Sequence, residues 1–253
     1  MKKILQKLFA PHPRRKKKKI NLTYPISWET MSFDEFREIC DILAVPGMTR
    51  ERGLFLCLCA LAHIRPDDPR KYDPRAIKGK MPFIIEGQAY CLTSKTVAEA
   101  CHDLAFIYDS VGLPPCPLQK VDQTLNYIPF DVFFTADSYI LRYQADGQRN
   151  NTWLKEAVKA LTGGRKRKLV PWERVAVIVW WNGLKKRLSD MYPHVLKGEG
   201  GVSGKTQAEI LQDILSSIND NKPQENEKIL KADTHSVLHA LENIYANADK
   251  RRS

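Results

Sequence analysis

The sequence predicts a mainly α-helical, multi-helix globular domain with at most one small β-hairpin and a C-terminal helical appendage. Three observations carry that expectation. Ser32 with Glu35 and Thr206 with Glu209 are two capping boxes, in which side chain and backbone satisfy each other's orphan groups at a helix start. Apolar residues recur at spacings of three and four through most of the chain. Only Phe83-Ile84-Ile85 and Ala89-Tyr90-Cys91-Leu92, bracketing Glu86-Gly87-Gln88, alternate or cluster as strands do.

The elements follow in order. Residues 11–19 repel one another and include two prolines, so residues 1–20 are predicted to be a disordered basic arm, with order beginning near Tyr24. After Ser32, the residues Phe33, Phe36, Ile39, Cys40 and Leu43 define one helix face, and Pro46-Gly47 ends the run. A second helix from Thr49 to about Ile64 is apolar on nearly every side, which places it centrally. Pro, Asp and Arg crowd residues 65–80 into a surface loop. Past the hairpin, Thr93 or Ser94 caps a helix through Val97, Cys101 and Ala105, and the prolines between Gly112 and Pro117 make the next stretch irregular.

Thr135 or Ala136 is the predicted start of a helix that carries Tyr139, Ile140 and Tyr143 to Gly147. The next helix runs from Asn151 through Leu161 to Gly163-Gly164, where glycine accepts the left-handed conformation cheaply. Pro171 suits a first helical turn, and Trp172 to Met191 is the longest apolar helix of the second half. Four glycines in residues 198–204 read as a flexible linker. Beyond it lie the stripe Ile210, Leu211, Ile214, Leu215 and Ile218, a polar turn from Asp220 to Asn226, and a last helix with Val237, Leu238, Leu241, Ile244 and Tyr245. Three units result: the arm 1–20, a helical core domain 21–197, and a glycine-hinged C-terminal region 198–253.

The net charge of +11, from 40 basic and 29 acidic residues, is unevenly placed. Nine of the basic residues lie in 1–20 with no acidic partner, so residues 21–253 hold 31 against 29, a net +2. Setting aside seven more, Arg165 to Lys168 and Lys250 to Arg252, leaves the body at −5. This is a mildly acidic globule with basic patches, which argues against a surface coated by nucleic acid. The apolar patch near the N-terminus is too short and broken for a signal-peptide core, and no window approaches a membrane span. A cytoplasmic protein whose six cysteines are reduced thiols is the resulting expectation.

Motifs for chemistry mostly fail on spacing. Gly198 to Thr206 ends in the Gly-Lys-Thr of a phosphate loop, but Glu199 stands where the first glycine must be, and no strand leads into it. His235 and His239 share a helix face, yet Ser236 replaces the glutamate of a zinc-protease helix, and no third ligand is evident. Cys57 and Cys59, two apart on a helix, point away from each other. Trp180 and Trp181 read as core packing rather than a ligand pocket. Asp67, Asp68 and Asp73 lie among arginines as a self-neutralised surface. The residues thus predict no enzyme, no metal site and no cofactor. Arg14, Arg15, Lys16, Lys17, Lys18 and Lys19, supported by Arg165, Lys166, Arg167 and Lys168, allow phosphate contact; without interleaved aromatics, such contact would be blind to sequence and weakened by salt.

The order of segments carries a resemblance. Ser27-Trp28-Glu29-Thr30-Met31 precedes Phe33 and Phe36; Pro129-Phe130, Phe133, Ala136-Asp137, Tyr139 and Tyr143 follow; then come Trp153-Leu154, Ala157 and Ala160-Leu161; then Val177-Ile178, Trp180-Trp181-Asn182-Gly183, Leu188 and Tyr192-Pro193; and last Leu230, Asp233, Val237-Leu238 and Leu241. Over roughly residues 25–248 this resembles a family from gut-bacterial prophages, whose members sit among tail genes near the tape-measure protein. The resemblance implies a non-enzymatic, chaperone-like tail-assembly role in the bacterial host cell, with a tape-measure-type protein as partner. The stripe Ile210, Leu211, Ile214, Leu215 and Ile218 is the expected partner-binding edge, since a long apolar helix would lie along it. The basic arm lies outside the matched pattern and keeps the alternative of a nucleic-acid-associated protein open.

Overall fold

The computed structural model describes residues 22–66, 80–85, 88–109, 111–164, 168–196, 206–219 and 221–251. The predicted arm 1–20, the glycine linker 198–204, the carboxylates Asp67, Asp68 and Asp73, and Arg165, Lys166 and Arg167 lie outside them.

The fold is mainly α, as predicted. A single 3-10 turn, Trp28–Thr30, precedes α1 (Phe33–Leu43). The α1 capping box forms: Glu35 N donates to Ser32 Oγ at 3.3 Å, and Ser32 N donates back to Glu35 Oε2 at 2.7 Å. Thr49 caps α2 (Arg50–Leu61), whose buried Leu54, Phe55, Cys57, Leu58, Cys59 and Leu61 cover most of its circumference. The hairpin forms from β2 (Lys80–Ile85) and β3 (Gln88–Thr93) with Phe83 opposite Tyr90, and a two-residue strand β1 (Arg65–Pro66) adds an antiparallel edge. Thr93 caps α3 (Ser94–Asp103), and a short α4 (Phe106–Asp109) follows.

The second half holds α5 (Phe130–Ala145), α6 (Asn151–Leu161), α7 (Pro171–Met191), the one-turn α8 (Pro193–Leu196), α9 (Gln207–Asn219), α10 (Asn226–Lys231) and α11 (Thr234–Lys250). Helix α5 begins at Phe130, more than a turn before the predicted Thr135. Pro129 presets the entry, and the free amide of Phe130 finds the carbonyl of Ala232, 2.9 Å away and about a hundred residues on. A local reading has no access to that partner. The predicted polar turn 220–226 also tightens into helix, as the 3-10 turn Pro223–Glu225 and then α10.

Two apolar clusters make up the core. The first gathers Trp28, Phe36, Ile39, Cys40, Leu58, Leu104 and their neighbours from the N-terminal helices. The second gathers residues of the 113–125 segment, α5, α6 and α11. Helix α7 serves both. Ala176 belongs to the first cluster, with Trp172, Val175 and Val179 packed on it; Val177, Ile178, Trp180, Trp181, Leu184 and Leu188 belong to the second. This explains why the stretch from Val175 to Leu184 of α7 is almost wholly apolar: it has two dry faces. With each fully buried large side chain stabilising by roughly 1.5–3 kcal/mol, this helix contributes more to the fold than any surface helix could.

The predicted glycine-hinged appendage is continuous with the second core. Val237, Leu238 and Leu241 are buried members of that cluster, and α9 packs on α11. Among the described residues no helix is long and apolar enough to cross a membrane.

Candidate functional site: an exposed aromatic surface

The expected partner-binding edge is spent on the chain itself. Leu215 is 4% exposed, Leu211, Ile214 and Ile218 pack against the second cluster, and Ile210 is half-buried. The stripe is amphipathic for the usual reason, to close the protein's own core. Of the basic residues proposed for phosphate contact, Lys168 is described, and it is exposed.

The other sequence candidates have structural partners. Trp180 and Trp181 are buried, and each indole N–H is satisfied: Trp180 Nε1 donates to the Gln123 carbonyl and Trp181 Nε1 to Asp137 Oδ1, both at 3.0 Å. Lys185 Nζ reaches the other oxygen of Asp137 at 2.9 Å and lies 5.6 Å from the Phe133 ring centre. His235 is held at both ring nitrogens, Nε2 2.8 Å from the Thr124 carbonyl and Nδ1 3.0 Å from the Tyr192 hydroxyl. A carbonyl only accepts, so Nε2 carries a proton and donates to it, while Nδ1 shares a hydrogen bond with the Tyr192 hydroxyl. That leaves no lone pair for a metal, and no group of three metal-binding side chains occurs among the described residues.

Asp233 ties the same region together. Its Oδ1 accepts from the amides of His235 and Ser236 at the start of α11, and its Oδ2 accepts from Tyr127 N at 2.7 Å. Thr234 adds two bonds to the Ile128 carbonyl, from its amide at 2.9 Å and its hydroxyl at 2.7 Å. Nearby, Glu242 reaches from α11 to cap α8, accepting from the amides of His194 and Val195 while its Oε1 stands 2.5 Å from His194 Nδ1. Burial pushes the Glu242 carboxyl up, but these donors outweigh it and hold the group below its ordinary range.

The thiols Cys40, Cys57 and Cys59 are buried in the first cluster. Burial pushes Cys57 and Cys59 up to about 12 and Cys40 further, while Cys101 and Cys116 rise to about 11. A thiol that stays protonated at neutral pH is a poor nucleophile, so the five act as small core hydrophobes.

One surface feature is built differently. The first turns of α1 and α7 lie side by side, each fixed by its own start signal: Ser32 for α1, and for α7 Pro171 together with Glu173, whose carboxylate accepts from Val170 N at 3.0 Å. This brings the Phe33 ring edge-on to Trp172, centroids 6.4 Å apart, with the Arg37 guanidinium 5.2 Å over the indole. Phe33 stays 46% exposed and Val170 41% exposed, with Lys168 two residues away. Aromatic and arginine side chains around a partly dry centre are the composition of binding hot spots. Sequence reasoning placed Phe33 on a core stripe; only the register of α1 against α7 reveals that the stripe begins outside the core.

The chain matches no family model, no curated protein and no solved structure.

Proposed function

We propose that the protein is a non-enzymatic interaction protein of the phage tail-assembly kind its segment order resembles, binding a tape-measure-type partner in a chaperone-like way. The observation that supports it is the Phe33–Trp172–Arg37 surface, a rigid aromatic and cationic patch on two packed helix starts. It replaces the α9 stripe as the partner-facing region, because that stripe is already covered. The test is co-purification of the full chain with a tape-measure-type protein from the same genome. Capture by the native chain, reduced at least tenfold by Phe33→Ala with Arg37→Ala at unchanged melting temperature, is the expected result. No capture by the native chain overturns the reading; capture unchanged by the substitutions overturns the location.

A second reading, non-specific phosphate contact through Arg14 to Lys19, is favoured by the exposure of Lys168, the described member of the second basic run. A DNA titration at two salt concentrations, with and without residues 1–20, decides it: binding that is independent of both salt and arm removes this reading.

A further inference from the structure

Where the two clusters meet, α7 does not fill the space between them. A cleft of about 260 Å³ remains, walled by Leu43, Met48, Ile107, Val175 and Val179, with Trp28 and Ile178 also lining it and the amides Gln148 and Asn182 on its α7 and α5–α6 side. The volume matters. A dry cavity of ~150 Å³ admits benzene, so this one has room for a six-membered ring with a small substituent.

The polar groups select among such compounds. Asn182 Oδ1 accepts from Gln144 Nε2 at 3.0 Å, which fixes the amide plane and leaves the Nδ2 hydrogens for a group in the cleft. If both amides are turned over, the same pair leaves Asn182 Oδ1 instead, so a ligand that both donates and accepts suits either arrangement. Gln148 adds a second amide, placed by left-handed backbone at Gly147 and Gln148 (φ 68° and 64°), where the chain turns from α5 into α6. Trp28 contributes apolar ring surface to the same cleft.

From this geometry we infer a binding site for a small neutral carboxamide on an aromatic or aliphatic ring, seated between the two clusters with its amide against Asn182. The ring replaces solvent along Leu43, Ile107, Val175 and Val179, and the amide pairs with the one side-chain amide whose orientation Gln144 already fixes. Among the described residues no charged side chain lines the cleft, which disfavours ionised ligands. This site stands independently of the partner-binding surface and of the tail-assembly reading.

The experiment is a titration of the full chain with benzamide, followed by methyl and side-chain amide NMR, with cumene as the probe of equal heavy-atom count that lacks the amide. Saturable shifts at Ile107, Val175, Val179 and the Asn182 amide are expected, with cumene at least tenfold weaker. Asn182→Leu removes the preference for benzamide over cumene, and Val179→Phe, which occupies the cleft, weakens both probes at least tenfold. Should Val179→Phe fail to fold, Val175→Leu, one turn earlier on the same wall, serves the same purpose. No saturable shift, or shifts that persist undiminished in the filled variant, overturns the site. Equal affinity for cumene and benzamide overturns the carboxamide assignment.

Discussion

Gly183 of α7 lies against Pro114 so closely that a β-carbon built on it would stand 2.4 Å from the proline Cδ and 2.9 Å from the Gly112 carbonyl oxygen. The irregular segment after α4 crosses the central helix there, backbone against backbone. Gly183→Ala improves helix propensity by about 1 kcal/mol, but the clash falls on a proline ring and a carbonyl, neither of which can rotate away. The expected net effect is a loss of roughly 1–2 kcal/mol, read as a lower urea midpoint at constant slope.

Leu215→Ala tests the reassignment of the α9 stripe. A free partner-binding edge would tolerate the change, whereas a buried leucine closing a core loses roughly 2–4 kcal/mol. Its exposure of 4% predicts the second outcome. Chemical denaturation of the full chain distinguishes the two.

Asp233 serves two segments at once, so its removal costs more than an ordinary cap. Asp233→Ala leaves the His235 and Ser236 amides and Tyr127 N without their acceptor. The expected loss is about 2 kcal/mol, at the upper end for an N-cap. Hydrogen exchange then rises at 124–128 and at the start of α11 together, and exchange confined to α11 would contradict the coupling.

Glu242 gives stability a pH dependence of definite sign. Its folded value lies below its unfolded one, so its contribution is present above the ordinary glutamate range and is lost as pH falls through the folded value. Glu242→Gln is therefore less stable than the native protein at pH 7, and the difference shrinks as pH drops below about 4.5. Urea midpoints of both proteins across pH 3–7 check this.

Buried thiols predict slow alkylation. Cys40, Cys57 and Cys59 are expected to resist iodoacetamide at pH 7.5 under native conditions and to react fully in denaturant. Peptide mapping by mass spectrometry reads each site separately, and rapid native labelling of any of the three contradicts its burial.

What the sequence revealed was largely local. Ser32 with Glu35, Thr49, Thr93 and Thr206 with Glu209 mark helix starts through atoms a few residues apart, and each forms as read. The α5 start was displaced because its decisive hydrogen bond runs to Ala232. Apolar periodicity at Ile214 and Leu215 showed that a face would be covered, but not whether another protein or the same chain would cover it. Phe33 illustrates the converse. It continues the stripe of Phe36 and Ile39, and only packing against Trp172 shows it to be half outside. The cleft beside Asn182 draws its walls from five separate stretches between residues 28 and 182, so no local pattern announces it.

The sharing of α7 between two clusters also orders events during synthesis. The N-terminal helices emerge first, yet their cluster lacks Trp172, Val175, Ala176 and Val179 until far more of the chain has been made. Ordinary domains condense as they leave the ribosome, whereas this one must hold an unfinished apolar surface through the translation of some seventy residues beyond Leu104. The nascent chain thus exposes apolar surface until α7 emerges, and slowing translation ahead of α7 would lengthen that interval.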